Sequence, residues 1–210
     1  MDMNKFNNTG FLFPYVRFFN ASPHGGSMDF YIGNTLVGAG IKYGSFTGYI
    51  KTMSSPVTYK AARSGRKDDI IHKITLSQKV GDVCTLCVTN KADKAEFMII
   101  DEICEKNNMD YGHIRICNLS PENAGLDIYA DQRKILGDIN FKEISRYMAI
   151  RPQSYEISVW KNEKRILNCH SLDMRQGKFN TLYIIGLLDE VPKISNVFSV
   201  DAASYNGFYL

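Results

Sequence analysis

Cys84-Thr-Leu-Cys87 is the interval in this sequence that most invites chemistry, since C-x-x-C spacing serves zinc binding and dithiol redox work. On a strand, however, positions three apart point to opposite faces, and no second cysteine pair is present to complete four ligands. His170-Ser171-Leu172-Asp173 contains the side-chain types of a hydrolase triad, yet neighbouring strand residues alternate faces and cannot converge on one carbonyl. His24, His72, His113 and His170 fall at no H-x-x-x-H or comparable interval and read as surface or loop residues. No G-x-G-x-x-G or P-loop pattern is present, so nucleotide cofactors have no support. The sequence nominates no catalytic, cofactor-binding or metal residue, and the expectation is that the chain is not an enzyme. Paired acids of the kind that cleave glycosides stay open, because spatial pairs are invisible at this level.

Residues suited to binding are easier to find. Arg63, Arg66 and Lys67 form one basic turn, and Lys161, Lys164 and Arg165 form a second. Hairpin tips of this kind can touch an anionic polymer or a membrane surface, although Asp68, Asp69 and Glu163 dilute them and favour solvated loops. The whole chain carries 25 basic against 22 acidic residues, a net charge of +3 that is too small to imply a nucleic-acid partner.

The elements that must position these residues show a duplication. VRFFNASP at 16–23 recurs as IRICNLSP at 114–121, and MDFYI at 28–32 recurs as LDIYA at 126–130. The paired residues lie 98 positions apart (127 − 29 = 98 for the two aspartates), and LSQKVGDVCTL at 76–86 returns at 172–182 with an offset of 96. A period this long is a domain. The expected units are 1–106 and 107–210, joined through DEICEKNN at 101–108, with an extra C-terminal segment from Pro192 that adds a strand or covers an edge. Short runs such as YVRFFN, VTYKAA and DIIHKITL, separated by SPHGGS, GNTL and RSGRKDD, give about seven strands per copy at the spacing of a β-sandwich. FKEISRYMA at 141–149 resembles a short helix in isolation, but its counterpart YGSFTGYIK reads as strand, and both copies must satisfy one fold.

Strand parity turns Val16, Phe18, Met28 and Phe30, with Ile114, Ile116, Leu126 and Ile128, towards the core. It leaves Arg17, Asp29, Tyr31, Arg115, Asp127 and Tyr129 outside. If the two strands are neighbours, Arg17 faces Asp29 and Arg115 faces Asp127, an exposed ion pair contributing roughly 0.2–1 kcal/mol with a tyrosine beside it. Together with Tyr49 and Tyr147 these residues form the candidate structural or binding face. Asn20-Ala-Ser-Pro23 and Asn118-Leu-Ser-Pro121 suit a strand end, where Asn and Ser bond locally to backbone and proline stops the ladder.

The order VRFFNASP, MDFYIGNTLVGAGIKYGSFTGYI, T-Y-K and L-x-x-x-x-G-x-x-x-T-L resembles the bacterial family catalogued as domain of unknown function 4397, over residues 14–90 and again 112–187. The second copy departs from the pattern where DINFKEISRY replaces GIKYGSFTGY. The resemblance implies an all-β chain of two tandem immunoglobulin-like β-sandwich domains, often found in envelope or surface proteins, and it supplies no catalytic residues. Five cysteines, including Cys104, without framework spacing suit reduced thiols, and the start of the chain lacks the features of a secretory signal. No apolar stretch is long enough to cross a bilayer as a helix. The expected role is therefore a non-enzymatic structural or adhesive module, made in the cytoplasm and deposited on a layer such as a spore coat. Its partner is expected to be another protein or a second copy meeting it through sheet edges. The alternative is a carbohydrate- or polymer-binding protein that uses exposed tyrosines.

Overall fold

The computed structural model describes residues 13–102, 109–169 and 171–205. Two compact units lie on either side of residues 103–108, and the second ends at Ser204. The first contains β1 (Tyr15–Asn20), β2 (Met28–Ile32), β3 (Thr35–Ile41), β4 (Ile50–Lys51), β5 (Pro56–Arg63), β6 (Ile70–Ser77), β7 (Val83–Thr89) and β8 (Glu96–Asp101). They form two four-stranded sheets, ordered β4-β1-β7-β8 and β3-β2-β5-β6. Val16, Phe18, Cys84 and Leu86 from the first sheet meet Met28, Phe30, Val57 and Tyr59 from the second, which makes a sandwich with one apolar interior.

The second unit repeats this plan with β9 (Gly112–Asn118), β10 (Leu126–Ala130), β11 (Arg133–Ile139), β12 (Met148–Ile150), β13 (Ser154–Tyr155), β14 (Ile157–Lys161), β15 (Lys164–Asn168), β16 (Leu172–Asp173), β17 (Phe179–Ile185) and β18 (Ser195–Val200). Its sheets are β12-β9-β17-β18 and β11-β10-β14-β15, and β13 and β16 extend the hairpin of β14 and β15 as a separate two-stranded ladder. Ile114, Ile116, Leu126 and Ile128 are buried in its core, as parity predicts. The chain is thus two tandem immunoglobulin-like β-sandwiches, and none of its described helices is long and apolar enough to cross a membrane.

Two details refine the sequence reading. The segment that resembles a helix is not one: Ile144 bridges Cys117, as Phe46 bridges Phe19, and a short strand begins at Met148. A hydroxyl keeps this geometry after the glycines are lost, because Ser145 Oγ accepts the Ile116 N–H at 3.0 Å, as Thr47 Oγ1 accepts that of Phe18 at 2.9 Å. The C-terminal segment also has a counterpart. β18 pairs antiparallel with β17 as β8 does with β7.

Candidate functional site

β1 runs parallel to β7, and β2 lies in the other sheet. Arg17 and Asp29 therefore leave the sandwich on opposite sides, and the expected Arg17–Asp29 and Arg115–Asp127 pairs do not form. Arg17 instead donates from Nε to Thr85 Oγ1 at 2.7 Å and pairs through Nη2 with Glu102 at 3.1 Å. Thr85 and Tyr49 both donate to the same carboxylate, and the guanidinium lies 4.7 Å from the Phe46 ring centre and 4.8 Å from that of Tyr49. The second unit rebuilds the cluster. Arg115 donates to Thr181 Oγ1 at 2.8 Å, pairs with Asp201 at 3.5 Å and lies 4.5 Å from the Tyr147 ring centre. Thr181 and Tyr147 donate to Asp201 Oδ2 at 2.5 and 2.6 Å.

These clusters correct the expectation of exposed arginines, since Arg17 and Arg115 are each only 5% accessible. They also show a duplicated polar constellation that sequence comparison misses, because the acid changes from Glu102 to Asp201 and the offset there is 99. Every charge in them is paired, hydrogen-bonded and shut from solvent, which is how a buried ion pair is tolerated in a framework.

Asp29 is likewise structural. Burial works to raise its pKa, but the Gly40 and Gly65 N–H groups at 2.7 and 2.9 Å and the Ser64 hydroxyl outweigh it and hold the carboxyl below its ordinary range. The left-handed position that Gly40 occupies is taken by Asp138 in the second unit. Asp127 accepts the Asp138 N–H at 3.1 Å and pairs with Lys134 at 2.6 Å, and the Lys134 ammonium is the main cause lowering its pKa. Tyr31 is buried, and Tyr49 and Tyr147 are half-buried with their hydroxyls committed to acids, so the predicted face is not one exposed tyrosine surface.

The chemical candidates resolve in the same way. Cys84 belongs to the core cluster, whereas Cys87 is the cross-strand partner of Phe19 on the other face, so the sulfurs diverge as the spacing predicts. Both thiols are free and buried, and burial pushes that of Cys84 up to about 12. Cys104 and His170 lie outside the described residues. His113 is not a surface residue: it is 1% accessible, stacked on Phe179 at 4.4 Å, with neither ring nitrogen hydrogen-bonded among the described residues. Burial lowers its pKa. Asn20 and Asn118 each donate to two carbonyls that close the following turns. Ser22 and Ser120 donate across the unit to the Asn90 and Gly186 carbonyls. No group of three or more His, Cys, Asp or Glu among the described residues is placed to hold a metal.

What faces solvent differs between the units. Arg63 and Arg66 both pair with Asp69, at 3.1 and 3.9 Å, with Lys67 exposed beside them. Lys161, Lys164 and Arg165 instead line an open groove of about 710 Å³ with Lys193 and Asp189. On the outward face of β10 and β14, the half-buried rings of Tyr129 and Trp160 lie 5.4 Å apart and tilted by 48°. Trp160 donates from Nε1 to Ser158 Oγ at 2.9 Å. The strand ladders place Lys134 opposite Tyr129 and Arg165 opposite Trp160. A cleft of about 870 Å³ opens between β11 and β12, lined by Tyr111, Arg133, Lys134, Arg151 and Tyr155 among others.

No curated protein matches the sequence. Among solved structures, the chain is similar to the C-terminal domain of AlgF from P. aeruginosa, at 16% identity over 43% of this chain and 98% of that one, with a TM-score of 0.36. It is similar to a candidate cell adhesion protein from Bacteroides ovatus, at 8% identity over 91% and 97% of the two chains, with a TM-score of 0.30. A family CBM26 module of Eubacterium rectale Amy13K, solved with maltoheptaose, matches at 10% identity over 92% and 97%, also with a TM-score of 0.30. The duplicated sandwich agrees with a family match over residues 14–122 and again over 112–204, and the chain belongs to the family described as Domain of unknown function (DUF4397).

Proposed function

We propose that this chain is a non-catalytic surface-interaction module that adheres to a polysaccharide through its second unit. The observation that carries this reading is the Tyr129–Trp160 pair, two adjacent rings on a solvent-facing sheet with Lys134, Ser158 and Arg165 around them. Aromatic side chains offer an apolar face beside polar donors, which suits a sugar ring with its C–H face and its hydroxyls. The duplicated polar residues support a non-catalytic role, because the Arg17 and Arg115 clusters are closed to any substrate. Edge-to-edge self-association is resisted at β4, β6, β11 and β15, which carry Lys51, Lys73, Arg133, Lys134, Lys164 and Arg165, whereas the edges β3, β8, β12 and β18 carry no lysine or arginine.

Trp160 is the sole tryptophan, so its fluorescence reports the site directly. A glycan array followed by fluorescence titration of the hit is expected to show saturable binding, and Y129A in both measurements and W160A on the array are expected to abolish it without changing the circular dichroism spectrum. Unaltered binding by both variants, or concentration-dependent assembly in light scattering with no glycan bound, would overturn the reading. The proposed setting is a polysaccharide-bearing layer such as a spore coat, and a fluorescent fusion spread evenly through the cytosol during sporulation would remove that part.

A further inference from the structure

We infer that the polysaccharide is acidic and that Arg133 and Arg151, in the cleft between β11 and β12, receive its carboxylates; this rests on the reading of Tyr129 and Trp160 as a sugar platform. Lys134 connects the cleft to that platform, because it lines the cleft and stands opposite Tyr129 in the ladder. Its volume, about 870 Å³, falls within the range of ligand sites. Tyr111, 37% accessible, and Tyr155 bring aromatic surface to it.

The charges within the cleft are unevenly committed. Lys134 is held by Asp127, and Asp131 Oδ1 accepts the Glu156 N–H at 3.0 Å. The exposed guanidiniums of Arg133 and Arg151 are in no ion pair with any described residue. A planar guanidinium matches a carboxylate through two parallel hydrogen bonds. The duplication supplies a control within the chain. At the positions of Arg133, Lys134 and Arg151 the first unit carries Thr35, Leu36 and Met53, and at that of Tyr111 it carries Phe13. The corresponding positions of the first unit thus lack both arginines, and the cation they do carry, Lys51 at the position of Ala149, lies 3.2 Å from the Phe13 ring centre. Two uncommitted cations suit a polymer with one carboxylate per sugar ring; duplex nucleic acid, with a charge about every 1.7 Å, needs a longer ladder of basic residues.

The test titrates the full chain with polygalacturonate and with a neutral glucan of equal length, reading Trp160 emission and checking by equilibrium dialysis. Polygalacturonate is expected to bind at least about tenfold more tightly than the glucan, with affinity falling as salt rises. R133Q/R151Q should reduce it to the level of the glucan while leaving the melting temperature unchanged, and R66Q/K67Q, in the basic turn of the first unit, should retain the preference. Equal binding of the two saccharides, or an unaffected R133Q/R151Q variant, overturns the inference while leaving the platform reading intact. Binding of neither saccharide by either measurement overturns both, as does preferential binding of oligothymidylate or polyglutamate that W160A leaves unchanged.

Discussion

Replacing Arg115 with Met tests whether the buried clusters hold the framework or merely decorate it. Methionine fills much of the volume of the arginine stem, so the change is mainly one of charge and hydrogen bonding. In the native unit the Asp201 side chain is fully buried, with Arg115 Nη2 at 3.5 Å and the Thr181 and Tyr147 hydroxyls at 2.5 and 2.6 Å. Without Arg115 those two hydroxyls remain, but the carboxylate loses the guanidinium that pairs with it. Breaking a buried pair from one side costs about 3–5 kcal/mol. The lost stacking of the guanidinium on Tyr147, with its centre 4.5 Å from the ring, adds about 0.5–2 kcal/mol. A domain of this size has about 5–15 kcal/mol in all, so even the low end of that sum, about 4 kcal/mol, is a large fraction of its stability. Urea denaturation followed by Trp160 emission reads the second unit, and at about 1–2 kcal/mol per molar the midpoint should fall by about 2–4 M. Arg115→Met combined with Asp201→Leu should recover most of the loss, because replacing both charges removes the stranded carboxylate. A single variant that loses less than about 1 kcal/mol, the range of an exposed pair, would refute this reasoning, as would a double variant no better than the single.

His113 makes acid sensitivity measurable. Burial lowers its folded pKa below the unfolded value near 6.5, so its neutral form is the one the fold accepts. Its part of the stability is complete above that unfolded pKa and is lost as the pH falls from there towards the folded pKa. H113F should flatten the fall in melting temperature between about pH 7 and pH 5, and an unchanged slope would count against the assignment. Gly186 sits at φ +88°, and a Cβ there would strike the backbone carbonyl of Lys193. Gly186→Ala should cost more than about 1 kcal/mol in the same urea assay, whereas Gly125→Ala, strained at φ +69° but with its nearest neighbour, Asp138 Oδ1, 3.4 Å from the added Cβ, should cost less.

The duplication and both cores were legible because inward positions repeat with strand period: Val16, Phe18, Met28 and Phe30, like their counterparts 98 residues on, are buried as alternation requires. Parity also gave the divergence of Cys84 and Cys87. It could not give the neighbours of a strand. Consecutive strands usually pair, which made Arg17–Asp29 reasonable, but β1 pairs with β7, and Arg17 is bound to Thr85, 68 residues away. The exposure of Arg17 failed for a related reason: the face opposite a core is solvent only where nothing covers it, and here Phe46, Tyr49 and Glu102 do. Glu102 and Asp201 were hidden by their change of type and register.

A search for repeats is bound to favour the framework over the contact surface. A residue that recurs in both copies has survived in two different surroundings, which is the expected behaviour of a group whose partners lie inside its own unit. Arg17 and Arg115, Asp29 and Asp127, and Asn20 and Asn118 all satisfy internal partners. Of the residues that give the second unit its aromatic and cationic surface, Tyr129 recurs as Tyr31, which is buried, whereas Trp160, Arg133, Lys134 and Arg151 do not recur. The ladder position of Trp160 opposite Asp127 is held by Ala62 opposite Asp29, and Ala62 is fully buried. Moving the aromatic platform to the first unit would therefore take more than one tryptophan: Ala62 would have to be uncovered, and Leu36 and Met53 would have to become basic. If Ala62→Trp alone gave the isolated first unit saccharide binding, the assignment of contact to the cooperating Tyr129, Trp160 and flanking cations would fail.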